Sequence, residues 1–441
     1  MCPTAPRRPL ESRDTASGVF RRGAPAILPP GRMERSLIQA RRQASEEGWG
    51  PPFSEGEYRL RRERVIERMR AAGIDTLLVT SPANITYLTG YDMIWYYLRT
   101  PSAVVVHADT HSTLFYELEY HRPTVAFHAV VDDVYCFESF HVAVESMVRD
   151  LSRRGWATHT VGLESWSRNP NGNVLAELRT HLEAGGSRVE DASWLVDGVR
   201  LIKTDAEVEA IREAARIADA AMEAVLDEAR VGMTEIELAG IALAAMMKEG
   251  GGDPAIRVAV RSGPRFLARH CAPSHRRFNA GELVWVNFCG SYHRYHCDLG
   301  RTLSLGEPDG RWVGLVEAAA GLSEKVLSSV TLGEPTQAVQ ERAEMAVQEA
   351  GLAPLSVLVG GYDLGIAVPP DWVGHTFTKS ERGFEVAAYE LGMVSNFEFL
   401  FRGGSNWSGG AGGGFIDTVA MRKHGLEVFS KLGREIRVKQ A

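Results

Sequence analysis

Apolar residues return every three to four positions along EYRLRRERVIERMRAAG, where Val65, Ile66, Met69 and Ala72 share one face of an otherwise charged segment. That spacing predicts a helix, and Gly73 supplies its stop. The period then changes. DTLLVT is a short apolar run that reads as a strand, closed by the turn chemistry of SPAN. SAVVVHAD and STLFYE read as strands joined by a polar turn, HVAVESMVRDLSRRG as a helix ended by Gly155, and HTVGLES as another strand. Strands alternating with helices predict an α/β domain over residues 53–197, its sheet covered on its faces.

The pattern after residue 198 is different. Thr204 and Glu207 form a capping-box signature ahead of a long amphipathic helix that ends near Gly232. Thr234 and Glu237 repeat the signature, and Gly250 to Gly252 close the second helix. Strand-like runs follow (AIRVAVRSG, GELVWVNFCGSY, DLGRTLSLG), then a helix near 311–351, then more strands. Long helices beside an antiparallel-leaning sheet predict an α+β second domain over 198–441. The run GGSNWSGGAGGG (403–414) has no helix N-terminus with a lysine behind it, so it reads as a loop or hairpin rather than a phosphate cradle.

Composition narrows the function classes. The net charge of −7 offers no basic excess to meet nucleic-acid phosphates or an acidic membrane. No apolar run approaches the roughly 18 residues needed to span a bilayer. Residues 1–52 are rich in Arg, Pro and Gly and lack the apolar core of a signal peptide, so a mostly mobile extension is expected. Cys2, Cys136, Cys271, Cys289 and Cys297 are odd in number and include no CxxC pair. That usage predicts a reducing, cytoplasmic setting without disulfides or structural zinc.

Several stretches, taken in order, resemble the pita-bread fold family that includes prolidase, methionine aminopeptidase, creatinase and ectoine hydrolase. RMRAAGIDTLLVTSPANITYLTGY is similar to the family's N-terminal domain, and GVRLIKTDAEVEAIREAARIADAAM to its hinge and first long helix. GELVWVNFCGSYHRYHCDLGRTLSLG is similar to the strand pair that normally carries two metal-binding aspartates, and GYDLGIAVPPDWVGHT and LGMVSNFEF follow in order. The phrases HRYHCDLGRTLSLG and LTGYDMIWYY are most similar to the ectoine hydrolase group. The resemblance implies an α/β N-terminal domain followed by an α+β pita-bread catalytic domain. The family's metallopeptidases hold two metal ions with Asp, Asp, His, Glu and Glu. The matching positions here are Asn287, Asp298, Tyr362, Glu398 and Ile416. Two carboxylates and an imidazole are therefore missing, and two divalent cations need anionic oxygens. The expectation is a degenerate site without metal or other cofactor. His293, His296 and Cys297 could rebuild a different centre, but strand alternation puts His293 and Cys297 on one face and His296 with Asp298 on the other.

Without a metal, side chains must move the protons. His270, in SGPRFLARHCAP, resembles the family's active-site histidine segment, and an imidazole can both take and give a proton; the alternative is a surface or supporting histidine. Glu398, between Phe397 and Phe399, is a candidate acid or base, a grip for a cationic amidine, or a structural ion-pair partner. Asp298 is a candidate to hold a substrate nitrogen or orient His270, or else to pair with Arg301. Arg257 and Arg261, read on one strand and one face, are candidate carboxylate clamps or solvated arginines. Asn287, Tyr362 and Trp372 are candidate pocket residues. The resemblance also implies a homodimer in which the loop carrying Trp95, Tyr96 and Tyr97 reaches the partner's cleft. The expected activity is hydrolysis of a non-peptide C–N bond in a small zwitterionic amidine, guanidine or cyclic amino-acid derivative. Ring closure or elimination on a related metabolite, and a catalytically silent binding role, are the alternatives.

Overall fold

The computed structural model describes residues 39–94, 96, 99–370, 372, 386–402 and 412–440. In the N-terminal domain, β1 (Thr76–Val79), β2 (Ala103–His107), β3 (Thr113–Leu118), β4 (Asp133–Phe137), β5 (Thr160–Leu163) and β6 (Arg188–Asp191) make one sheet in the order β4-β3-β2-β1-β5-β6. Alternation along these strands splits the side chains between two cores. Leu77, Val79, Val104, Val106 and Phe115 face the layer that includes helix Glu55–Ala72. Leu78, Val105, Leu114, Tyr116, Val161 and Leu163 face the layer of Ala143–Arg153 and Gly172–Ala184. The ordered domain starts earlier than the sequence pattern predicts. Residues 39–46 are helical, and the buried Arg41 donates from Nη1 to the carbonyls of Ala129 (2.7 Å) and Val131 (2.9 Å). This part of the expected mobile extension is thus docked on the domain.

The second domain is built on β7 (Ala259–Ser262), β8 (Glu282–Tyr292), β9 (Tyr295–Leu305), β10 (Ser356–Gly360), β11 (Val394–Arg402) and β12 (Gly412–Arg422). The sheet order is β10-β11-β12-β9-β8-β7, with β13 (Gly425–Val428) on β12 and β14 (Arg437–Lys439) parallel to β9. Both predicted capping boxes form: Thr204 and Glu207 start helix Asp205–Glu228, and Thr234 and Glu237 start Glu235–Lys248. These two helices cover Val284, Val286, Phe288, Leu299 and Leu303. The helix expected near 311–351 is two helices, Gly310–Leu327 and Thr336–Glu349, because Gly333 takes a positive φ and Pro335 cannot continue a helix. They cover Phe397, Phe399, Phe401, Phe415 and Val419. Two helix pairs therefore occupy one face of the sheet. The period of two sends the intervening residues, among them Asn287, Asp298, Asn396 and Glu398, to the opposite face.

Packing is closest where helix Asp205–Glu228 crosses β8. A Cβ at Gly290 would collide with the Ala214 carbonyl oxygen and with Ala218. Gly290→Ala is expected to cost about 3 kcal/mol, since backbone must move to relieve the clash; a lowered urea midpoint would check it. The domains meet through Arg294, whose Nε donates to Asp92 (2.7 Å), and through Arg200, which donates to Asn84 (2.7 Å) and to the Ile366 carbonyl. No helix among the described residues is long and apolar enough to cross a membrane.

Candidate active site

Strand register builds the site. Cys289 on β8 pairs with Asp298 on β9, and Asn287 pairs with Gly300. On the other half of the sheet, Glu398 pairs with Ile416 and Asn396 with Thr418, while Ile416 meets Gly300 across the β9–β12 seam. Asn287, Asp298, Asn396 and Glu398 consequently converge on one face, and Tyr362 closes over them from the segment after β10. Asp298 and Glu398 are both buried.

One amide ties the two carboxyls together. Asn396 Nδ2 donates to Glu398 Oε1 at 2.7 Å and to Asp298 Oδ2 at 3.3 Å. Its orientation is fixed, because Asn396 Oδ1 accepts the Tyr362 backbone N–H at 2.9 Å. Asn287 Nδ2 donates to Asp298 Oδ1 at 2.7 Å. The Tyr362 hydroxyl lies 3.5 Å from Asp298 Oδ2 and also hydrogen-bonds Glu398. Trp372 stands edge-on to the Tyr362 ring, with centroids 5.4 Å apart.

Burial is the main force on both acids. It pushes Glu398 up to about 8, reinforced by the neighbouring Asp298 charge. It pushes Asp298 up to about 6, with the Asn287, Asn396, Cys289 and Tyr362 hydrogen bonds pulling the other way. The Tyr362 phenol and the Cys289 thiol are both held well above their usual ranges by burial and by these acids. Near neutral pH the pair therefore carries about one negative charge and one shared proton.

The donor set does not suit two divalent cations. Two of the five matching positions carry carboxylates. Their oxygens are met by N–H and O–H donors from Asn287, Asn396 and Tyr362, where a cation would require acceptors. Ile416 is buried against Trp285 and Phe266. Among the described residues, no three His, Cys, Asp or Glu side chains are grouped so as to hold a metal ion. His293 is not on a strand. His293 and Arg294, with φ of 51° and 66°, make the two-residue turn between β8 and β9. His296 is buried, its Nε2 accepts the Ala255 N–H at 2.9 Å, and burial lowers its pKa to about 4. Cys297 lies in the apolar core of the opposite face.

Other candidates fall differently. His270 sits on an exposed loop with φ of 56° and makes no hydrogen bond to Asp298 or Glu398 among the described residues. Its neighbour Arg269 donates to the Val357 carbonyl (2.9 Å), and its charge acts on Glu398. The loop is held by the buried Glu235, which accepts from the N–H and hydroxyl of Ser262 (3.0 and 2.8 Å) and of Ser274 (3.0 and 2.7 Å). Arg301 pairs with Asp417 (2.7 Å), leaving Asp298 to the site. Arg257 lies before β7 and is exposed, so it does not share a strand face with Arg261, which is on β7 and half-buried. Tyr96 packs edge-on to Tyr91 within its own domain. Trp95 and Tyr97 lie outside the described residues, as does most of the 403–414 run. Asn396 and Cys289 had a legible signal that motif matching passes over: each stands two positions from a matched site residue on the same strand, hence on the same face.

Comparison with known proteins follows this geometry. Residues 61–202 match the Creatinase/Prolidase N-terminal domain, and residues 209–423 match Metallopeptidase family M24. An uncharacterized hydrolase/peptidase of Sinorhizobium fredii is 27% identical over 399 residues, covering 88% of this chain and 98% of its own. The ectoine hydrolase of Halomonas elongata is 27% identical over 410 residues, covering 88% and 98%. The creatinase of a Bacillus species is 25% identical over 399 residues, covering 86% and 92%. Among solved structures, an Xaa-Pro dipeptidase from Bacillus anthracis superposes with a TM-score of 0.73 at 22% identity, over 87% of this chain and all of that one.

Proposed function

From the premise that the chain belongs to the pita-bread family, joining a creatinase/prolidase N-terminal domain to an M24 domain, we propose that it is a hydrolase of a non-peptide C–N bond. Its substrate class is a small cationic amidine, guanidine or cyclic amino-acid derivative, and its protons are moved by side chains rather than by a metal pair. The observation that carries this reading is the Asp298–Asn396–Glu398 arrangement: two buried carboxyls sharing one amide donor and one proton. Ionised Asp298 takes a proton from the attacking water as the C–O bond forms. Protonated Glu398 gives its proton to the departing nitrogen as the C–N bond breaks. One proton passing from Asp298 to Glu398 restores the starting state. The net negative charge of the pair also attracts a delocalised cation. The ectoine hydrolase and creatinase relatives support the non-peptide reading, and the prolidase-like relatives define the competing one.

The direct test is an assay of the purified protein against ectoine, creatine and an Xaa-Pro dipeptide, each with and without a strong chelator. Hydrolysis of an amidine or guanidine at an unchanged rate under chelation is expected. Cleavage of the dipeptide alone, dependent on added metal, would overturn the proposal. Ring closure or elimination would appear as a product that gains no water. The family reading also carries a homodimer with the 91–98 loop in the partner's cleft; at that loop Ile94 is 87% exposed. Light scattering at the mass of one chain would remove it.

A further inference from the structure

Most buried or half-buried arginines of this domain have an acid partner: Arg301 and Arg434 hold Asp417, Arg265 holds Glu235, Arg276 holds Glu282, and Arg294 holds Asp92. Arg261 does not. No carboxylate lies within ion-pair distance of it among the described residues. Its guanidinium lies over Phe266 (5.8 Å) and Trp285 (5.9 Å), and its one hydrogen bond among the described residues is a long one, from Nη1 to the Phe266 carbonyl at 3.4 Å. Its Nε is buried without a partner. The position is on the site face: Arg261 pairs with Trp285, which stands two residues before Asn287 on β8. Burial works against its charge, Arg269 repels it and Glu398 attracts it when ionised.

We infer that Arg261 is the anchor for an acid group on the substrate, so that the substrate is a zwitterion whose cationic C–N centre lies at Asp298 and Glu398 and whose carboxylate lies on Arg261. The inference rests on the proposed function for the cationic end only. A half-buried guanidinium with an idle Nε holds open the two-pronged geometry that a carboxylate completes. The aromatic floor of Trp285 and Phe266 keeps the guanidinium flat and excludes water from one side, which strengthens the contact. Arg269 adds a second positive charge that acts on Glu398. The cleft is thus graded from the single negative charge of the Asp298–Glu398 pair to the positive charge of Arg261.

The test uses the full chain, Arg261→Gln and Arg261→Lys, each first checked for an unchanged far-ultraviolet spectrum. Calorimetric titration is made with ectoine and with the same cyclic amidine lacking its carboxylate, in a Glu398→Gln background so that turnover does not intrude. Arg261→Gln is expected to weaken the carboxylate-bearing probe by about 30- to 100-fold and the other by less than about twofold, with Arg261→Lys between. Equal weakening of both probes, or none, overturns the anchor. A separate thermal-shift series with propionate alone bears on Arg261 even if the amidine reading fails. Propionate is expected to raise the midpoint of the unsubstituted chain and not that of Arg261→Gln, and no rise in the former overturns the inference.

Discussion

Glu398→Gln is expected to abolish turnover, by about a thousandfold or more, while raising heat stability above neutral pH. The loss follows from removing the one proton donor of the pair. The gain follows from linkage. A carboxyl whose pKa is raised by folding binds its proton more tightly in the folded state. Its contribution favours folding below the unfolded value, about 4.3, and is lost as pH climbs through about 8. Above that, the folded protein must hold two buried, neighbouring charges. A pKa difference of one unit is worth about 1.4 kcal/mol, so the penalty is on the order of a few kcal/mol. Glutamine keeps the Asn396 hydrogen bond and never ionises. Its thermal midpoint should match the parent near pH 5 and exceed it by several degrees at about pH 8.5. A midpoint that falls at every pH would assign Glu398 a structural role instead.

The second large effect is in the pH–rate profile. Turnover needs Asp298 ionised and Glu398 protonated, so kcat should rise as pH passes about 6 and fall beyond about 8. Asn396→Leu removes the donor that stabilises both ionised forms. Both limbs should then move to higher pH, with the maximum reduced by about 10- to 100-fold. A lower rate with unmoved limbs would mean that Asn396 only fills space.

The sequence carried the local features well, for local reasons. Both capping boxes are contacts within four residues, so Thr204 and Thr234 could be read without tertiary knowledge. The convergence of Asn287, Asp298, Tyr362 and Glu398 was legible through the order of motifs, and through a strand period that any apolar–polar alternation reveals. What failed depended on distant partners. His293 and Arg294 form a turn with no glycine or asparagine to announce it, so they read as strand. His270 is a separate case: its motif reads locally, while the loop that carries it is held by Glu235, a helix residue thirty-five positions upstream whose anchoring bonds have no local signature. Arg257 looked like a strand partner of Arg261 because the apolar run extends further than the hydrogen-bonded ladder does.

Glu235 has an implication of its own. By gripping Ser262 with one oxygen and Ser274 with the other, it makes the stretch between them a cartridge with fixed fittings. Insertions or swaps inside that stretch that keep Arg265 on Glu235 leave both fittings intact, so a descendant can exchange what the stretch presents without rebuilding the sheet of strands beneath. Selectivity in such a lineage would diversify there first, and a chimera that transplants only 267–273, leaving Arg265 paired with Glu235, should inherit the donor's preferences while keeping the recipient's melting behaviour.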